Sequence, residues 1–199
     1  MPAQEVLVDA NSVDQYGEVA TQTFVDVRVA LQKLVDDVAT VKYEGENALQ
    51  FKREAGQMAV QFANGIKNDM VSMTQSVNAA TTSILQSLGG RDVSIRIDNT
   101  AVEPKPVTAG QDGVVSVVYS SLEALAEATK ASFDAVAERL EFHKGALIGT
   151  TWQGNAKERA KTAVTSLTSN ATGNCQTAQQ KMTTFINDQI SGTSAADGQ

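Results

Sequence analysis

The 199 residues carry 16 Lys and Arg against 23 Asp and Glu, a formal charge of -7, with 42% hydrophobic content. That balance supports a folded core of one or two domains, and it repels phosphate backbones, so nucleic acid is not an expected partner. A single cysteine, Cys175, excludes an internal disulfide and any cysteine-cluster metal site.

In chain order, Met1-Pro2-Ala3-Gln4-Glu5 shows no basic stretch leading into an apolar one, and no later run has the length of a membrane span. From Val13 onward, apolar or small residues recur every three or four positions: Val13, Tyr16, Ala20, Phe24, Val27, Leu31, Leu34, Val38 and Val41. This is the stripe of a long amphipathic helix. Ser12 and Gln15 have the spacing of a capping box that would start it. After Tyr43-Glu44-Gly45 the stripe resumes at Phe51, Ala55, Met58, Phe62, Ile66, Met70, Met73, Val77, Ala80 and Ile84, and it stops at Leu88-Gly89-Gly90. So short a turn makes the two helices an antiparallel hairpin with both stripes on one side.

Residues 91–113 read as an extended connector, because Pro104 and Pro106 forbid a continuous helix. The alternation of Val93, Ile95 and Ile97 predicts a short strand within it. A third stripe runs through Val118, Leu122, Leu125, Thr129, Phe133, Val136, Leu140, His143 and Leu147, with Ser120 and Glu123 spaced as its capping box. Thr151-Trp152-Gln153-Gly154 breaks the pattern. A fourth stripe follows at Ala160, Val164, Leu167, Ala171, Cys175, Ala178, Met182 and Ile186, and residues 192–199 read as a flexible tail.

Trp152 lies 109 residues after Tyr43, and the same ungapped offset carries Gly45 to Gly154, Phe24 to Phe133, Leu31 to Leu140, Ile66 to Cys175 and Val77 to Ile186. Agreement of stripe, aromatic turn and glycine in one register indicates an internal duplication. The expected fold is all-α: two tandem antiparallel helical hairpins, 1–90 and 114–191, packed as a four-helix bundle. Since Tyr43 holds the corner that Trp152 holds, a tryptophan-specific role is expected to lie outside the chain.

The hairpins, with Trp152-Gln153-Gly154 at one bend and Tyr43-Glu44-Gly45 as its degenerate counterpart, resemble the WXG family of small Esx-type (early-secreted-antigen-like) proteins exported by type VII secretion systems. The resemblance covers roughly 12–88 and 114–190. It implies a fused pair of hairpins, with Trp152, Gly154, Tyr43 and Gly45 as secretion or recognition motif. It also implies export without a cleaved signal peptide and recognition by the ATPase of the secretion machinery. In the family, the turn of one hairpin lies beside the C-terminal end of the other. The companion export signal, Tyr-x-x-x-Asp/Glu after a hairpin, is matched only by Tyr119 and Glu123, at the start of the third helix. Partners implied are the machinery and another WXG-like protein or a second copy; membrane contact is possible but not indicated. The alternative is a structural protein whose exposed stripes build a larger helical assembly or a membrane-perturbing pore.

No nucleophile and base, phosphate loop or metal set stands in the sequence, so neither catalysis nor a cofactor is expected. His143, the sole histidine, falls where the first helix has Leu34, and is expected at the stripe edge, hydrogen-bonded to a neighbour; a pH-sensitive latch is the competing reading. Cys175 is expected to be a small buried apolar group. Asp36, Asp37, Glu44 and Glu46 read as solvated face, and Gly145 with Gly149 as a frayed helix end. Gly65 and Gly173 fall inside helices, where they would mark bends or close crossings. The fourth helix is poor in large apolar residues, so the C-terminal hairpin is expected to be the weaker half.

Overall fold

Asp9 begins the first helix. Its Oδ1 accepts from Asn11 N at 3.0 Å and its carbonyl accepts from Val13 N at 3.2 Å, so it satisfies amides of the first turn. The structure, a computed structural model, describes residues 7–88, 94–97 and 100–196. Four helices stand among them, α1 (Ala10–Thr40), α2 (Glu46–Leu88), α3 (Tyr119–Ile148) and α4 (Asn155–Ala196), with two-residue strands β1 (Tyr43–Glu44) and β2 (Ser116–Val117). The protein is an all-α helical bundle.

The stripes are its core. Every stripe residue of α1 from Val13 to Val38 is buried, as are Phe51, Ile66, Met70, Met73 and Val77 of α2. So are Leu122, Phe133, Leu140 and Leu147 of α3, and Val164, Leu167, Met182 and Ile186 of α4. Each such Leu, Ile or Phe stabilises the fold by about 1.5–3 kcal/mol through apolar burial. The surface that a stripe-driven assembly would use is therefore covered within the chain. Val118 leaves the pattern: it precedes α3 and is 41% exposed.

The chain forms two compact units, each drawing on all four helices. The first takes α1 through Val27, α2 from Ile66 with the connector up to Thr100, α3 from Ala137 and α4 through Thr172. In it His143 stacks on Tyr16, with ring centroids 5.4 Å apart, and meets Phe24 edge-on at 5.2 Å. The second takes α1 from Arg28, α2 through Gly65, residues 101–136 and α4 from Gly173. There Phe62 meets Phe133 edge-on at 4.7 Å, and Phe51 stacks on Phe185 at 5.3 Å. In each unit the beginning of one helix of a hairpin accompanies the end of the other, as an antiparallel hairpin requires.

Several sequence expectations need correction. Neither proposed serine caps its helix: Ser12 Oγ accepts from Thr151 N at 2.8 Å, and Ser120 lies inside α3, whose first turn is started by the Val118 carbonyl accepting from Ser121 N at 2.8 Å. Of the strand expected around Val93, Ile95 and Ile97, Val93 lies outside the described residues and 94–97 form no strand. The Asn78 side chain instead clasps the Ile95 backbone, accepting from its N at 3.0 Å and donating to its carbonyl at 3.3 Å. β2 pairs antiparallel with β1, Tyr43 opposite Val117. The tail expected from residue 192 is helical to Ala196, where Thr193 bonds back to the carbonyls of Gln189 and Ile190; 197–199 lie outside the described residues. A Cβ built on Gly65 or Gly173 meets nothing within 4 Å, so neither marks a close crossing.

Candidate functional site

The two aromatic turns share a common set of backbone bonds. At the first, Tyr43 N donates to Val41 O at 2.9 Å, Gly45 takes φ +116°, and its carbonyl accepts from Leu49 N at 3.0 Å to start α2. At the second, Trp152 N donates to Thr150 O at 3.0 Å, Gly154 takes φ +111°, and its carbonyl accepts from Glu158 N at 3.3 Å to start α4. A side chain at such φ is strained, which is why each motif ends in glycine.

Each turn is pinned by the segment that leads into the other hairpin. At the first, Val117 pairs with Tyr43, Val118 N donates to Lys42 O at 3.1 Å, and Ser121 Oγ accepts from Lys42 N at 3.0 Å. At the second, Val8 pairs with Trp152, Asp9 N donates to Thr151 O at 2.9 Å, and Ser12 Oγ accepts from Thr151 N. Every residue in one set stands 109 positions from its counterpart in the other, so the offset read from the stripes recurs in hydrogen bonds that no stripe predicts. Sequence reasoning missed these leading segments, although the offset takes Ser12 to Ser121 rather than to Ser120 and so signals the error.

The rings differ in how they fill their corners. Tyr43 is buried beside Phe51, and its hydroxyl accepts from Gln189 Nε2 at 2.7 Å, so this turn lies against the C-terminal part of α4. Trp152 is only 1% exposed, and its Nε1 has no hydrogen-bond partner among the described residues. The counterparts of Phe51, Phe185 and Gln189 on its side are Ala160, Ser76 and Ala80. The indole supplies volume that the Tyr43 corner draws from several side chains. Lys157 Nζ reinforces this turn by donating to the carbonyls of Ile148 and Thr150 at 3.1 and 2.8 Å.

Tyr119 is half-buried at the first residue of α3, and Glu123 one turn on is exposed. Tyr119 shares an open concavity of about 770 Å³ with Tyr43, Gly45, Thr193 and Ala196. The second unit therefore gathers Tyr43, Gly45 and Tyr119 near the end of α4, while Trp152 and Gly154 belong to the first unit.

The remaining candidates fall into place by burial. His143 is fully buried rather than at a stripe edge, its Nε2 2.8 Å from Tyr16 Oη, with the donor set by the imidazole tautomer. Burial lowers its pKa to about 4 and raises that of Tyr16. Cys175 is buried, and desolvation pushes its thiol up to about 12, with the Asp134 charge adding to the effect. Asp36 is held below the usual carboxylate range mainly by its hydrogen bond from Lys105, whose ammonium lies 2.8 Å away; Asp37 pairs with Lys33. Among the described residues no three His, Cys, Asp or Glu side chains are grouped to hold a metal ion. No described helix is long and apolar enough to cross a membrane. No protein-family model, characterised protein or solved structure matches the chain.

Proposed function

We propose that the protein is a non-enzymatic, self-partnered pair of WXG-like hairpins, exported as a substrate of a type VII-like secretion system. In this reading it folds in the cytoplasm and leaves without a cleaved leader, and its partner is the ATPase of the machinery. The observation that carries the reading is the matched pair of aromatic-x-Gly turns, each capping a long helix through a left-handed glycine and each pinned by the other hairpin's leading segment. A chain that supplies both members of the pair needs no separate chaperone hairpin, because the tether holds them at high effective concentration.

Trp152 is buried, so recognition of the ring requires a local opening at the turn, to which residues 7–9 are joined by backbone pairing. Among the described residues a one-residue bridge and a few hydrogen bonds hold that segment to the turn, and such elements open at low free energy. Tyr119 and Glu123 form the second half of the signal. Secretion in the native host, compared between the wild type, Trp152→Tyr and Tyr119→Ala, tests the proposal. Trp152→Tyr keeps an aromatic corner and is expected to remain folded while losing export. Wild-type export of the folded Trp152→Tyr protein would remove the recognition role of the ring.

A further inference from the structure

Val114-Val115-Ser116-Val117-Val118 places four β-branched residues in five, yet only Ser116 and Val117 are paired, as β2. Val118 N donates to Lys42 O at 3.1 Å while Val117 stands opposite Tyr43, which makes Tyr43 and Val117 the pair without direct hydrogen bonds. The N–H and C=O groups of Val115 and Val117 therefore point away from β1, and neither residue makes a backbone bond to a described residue on that side. The far edge of β1 is closed, because Tyr43 N bonds Val41 O at 2.9 Å and Gly45 N bonds Ala109 O at 2.6 Å. The free edge borders the open concavity of about 770 Å³, bounded by β2, Tyr43, Tyr119 and the end of α4 at Thr193 and Ala196. Val115 is 83% exposed there, and Val114 and Val118 are exposed beside it. Glu44 and Glu46 line the concavity, and no lysine or arginine does.

A row of unpaired backbone groups recruits an extended chain, which enlarges the sheet by one strand. Such a strand would continue the pairing by which the second hairpin's leading segment already pins the first hairpin's turn. The register fixes its side chains, since the pleat puts Tyr43, Val115 and Val117 on one face and Glu44 and Ser116 on the other. An occupant that alternates apolar and basic residues matches both faces. Charge rejects the competing occupant: the chain carries -7, and a second copy paired through the same edge would bring the Glu44 and Glu46 side chains of both copies together. We propose that β2 is the docking edge for an extended, basic segment of a partner protein, its backbone bonded to Val115 and Val117, its apolar side chains beside Tyr43 and the valines, and its Lys or Arg side chains toward Glu44 and Glu46. The edge stands whether or not the protein is exported.

The test is amide NMR titration of the full chain with acetyl-Lys-Val-Lys-Val-Lys-Val-amide, with acetyl-Glu-Val-Glu-Val-Glu-Val-amide, and with the basic peptide N-methylated at every residue. The basic peptide is expected to give saturable shifts centred on Val115, Val117 and Tyr119, and the other two to bind at least about tenfold more weakly. Val115→Pro removes one edge donor, and Val115→Lys keeps the backbone while adding a like charge. Each should weaken the basic peptide by a similar factor, with circular dichroism to verify folding. Val29→Lys, the same charge change at an exposed position of α1, should leave it unchanged. Shifts that do not saturate, equal binding of the acidic or the N-methylated peptide, or unchanged affinity in both folded Val115 variants would overturn the proposal. Self-association of the free protein that Val115→Lys abolishes would also overturn it, by giving the edge to a second copy.

Discussion

Tyr16 and His143 offer the sharpest test of how the core is held, because their counterparts under the 109-residue offset, Leu125 and Leu34, are both buried leucines. The folded-state pKa of His143 is about 4 against an ordinary 6.5, so the unfolded chain binds the proton first as pH falls. Stability from this group is thus fully present above pH 6.5, declines between 6.5 and about 4, and is constant below. The gap corresponds to about 3 kcal/mol at about 1.4 kcal/mol per pH unit. His143→Leu alone leaves the Tyr16 hydroxyl buried without its partner and should cost about 1–3 kcal/mol at neutral pH. Tyr16→Phe with His143→Leu removes both polar groups and should be near neutral there, yet retain about 2.5 kcal/mol more than the wild type at about pH 4.5. Urea unfolding of the three proteins at the two pH values measures this, and other titrating groups, Asp36 among them, cancel in the comparison. If wild type and double variant lose stability in parallel as the pH falls, the buried imidazole is not the acid-labile group. The ion pairs on the neighbouring turns, Arg139 with Asp26 and Lys144 with Glu141, have partly exposed partners and are worth too little to mimic the effect.

One substitution should have opposite signs at two glycines. Gly154→Ala, at φ +111°, is expected to cost about 1–3 kcal/mol, whereas Gly173→Ala, in a helix interior with nothing within 4 Å of the new Cβ, should gain about 0.5–1 kcal/mol. Denaturation midpoints read both, and equal signs would contradict the backbone argument. Amide exchange should follow the compact units rather than the hairpins. Core amides of α2 after Ile66 and of α4 before Thr172, which share a unit, should be protected to within about tenfold of each other. Uniformly faster exchange throughout α3 and α4 would instead restore the expectation of a weaker C-terminal hairpin.

The helices, their faces and the equivalence of the two turns were legible because a spacing of three or four residues directly reports which side of a helix is dry. Val13 to Val38 and Leu122 to Leu147 needed no tertiary information, Val118 excepted. The segments that pin the turns were not legible. A bridge of one or two residues, such as Val8 with Trp152, has no period to detect, and its partners are set by where the helices end. The cap at Asp9 was missed for a related reason. Ser12 has the residue type and spacing of a cap, but its hydroxyl is taken by Thr151, a competition that local sequence does not express.

His143 shows a different limit. Read singly it is an odd residue on an apolar stripe, and Tyr16 is an aromatic that any core accepts. Only packing shows that the two departures from leucine are one departure, since Tyr16 Oη and His143 Nε2 face each other across 127 positions of sequence. The duplication contains enough to suspect this, because both residues depart from leucine at positions where the other half does not. Two polar groups buried together satisfy each other in part, whereas either alone against a leucine would be an unpaired polar atom in the core. The pair is therefore expected to be retained or lost as a unit. The same reasoning separates Lys52 from Lys161: identical residues at equivalent positions differ in exposure, and connector residues 104–107 line a groove beside the first.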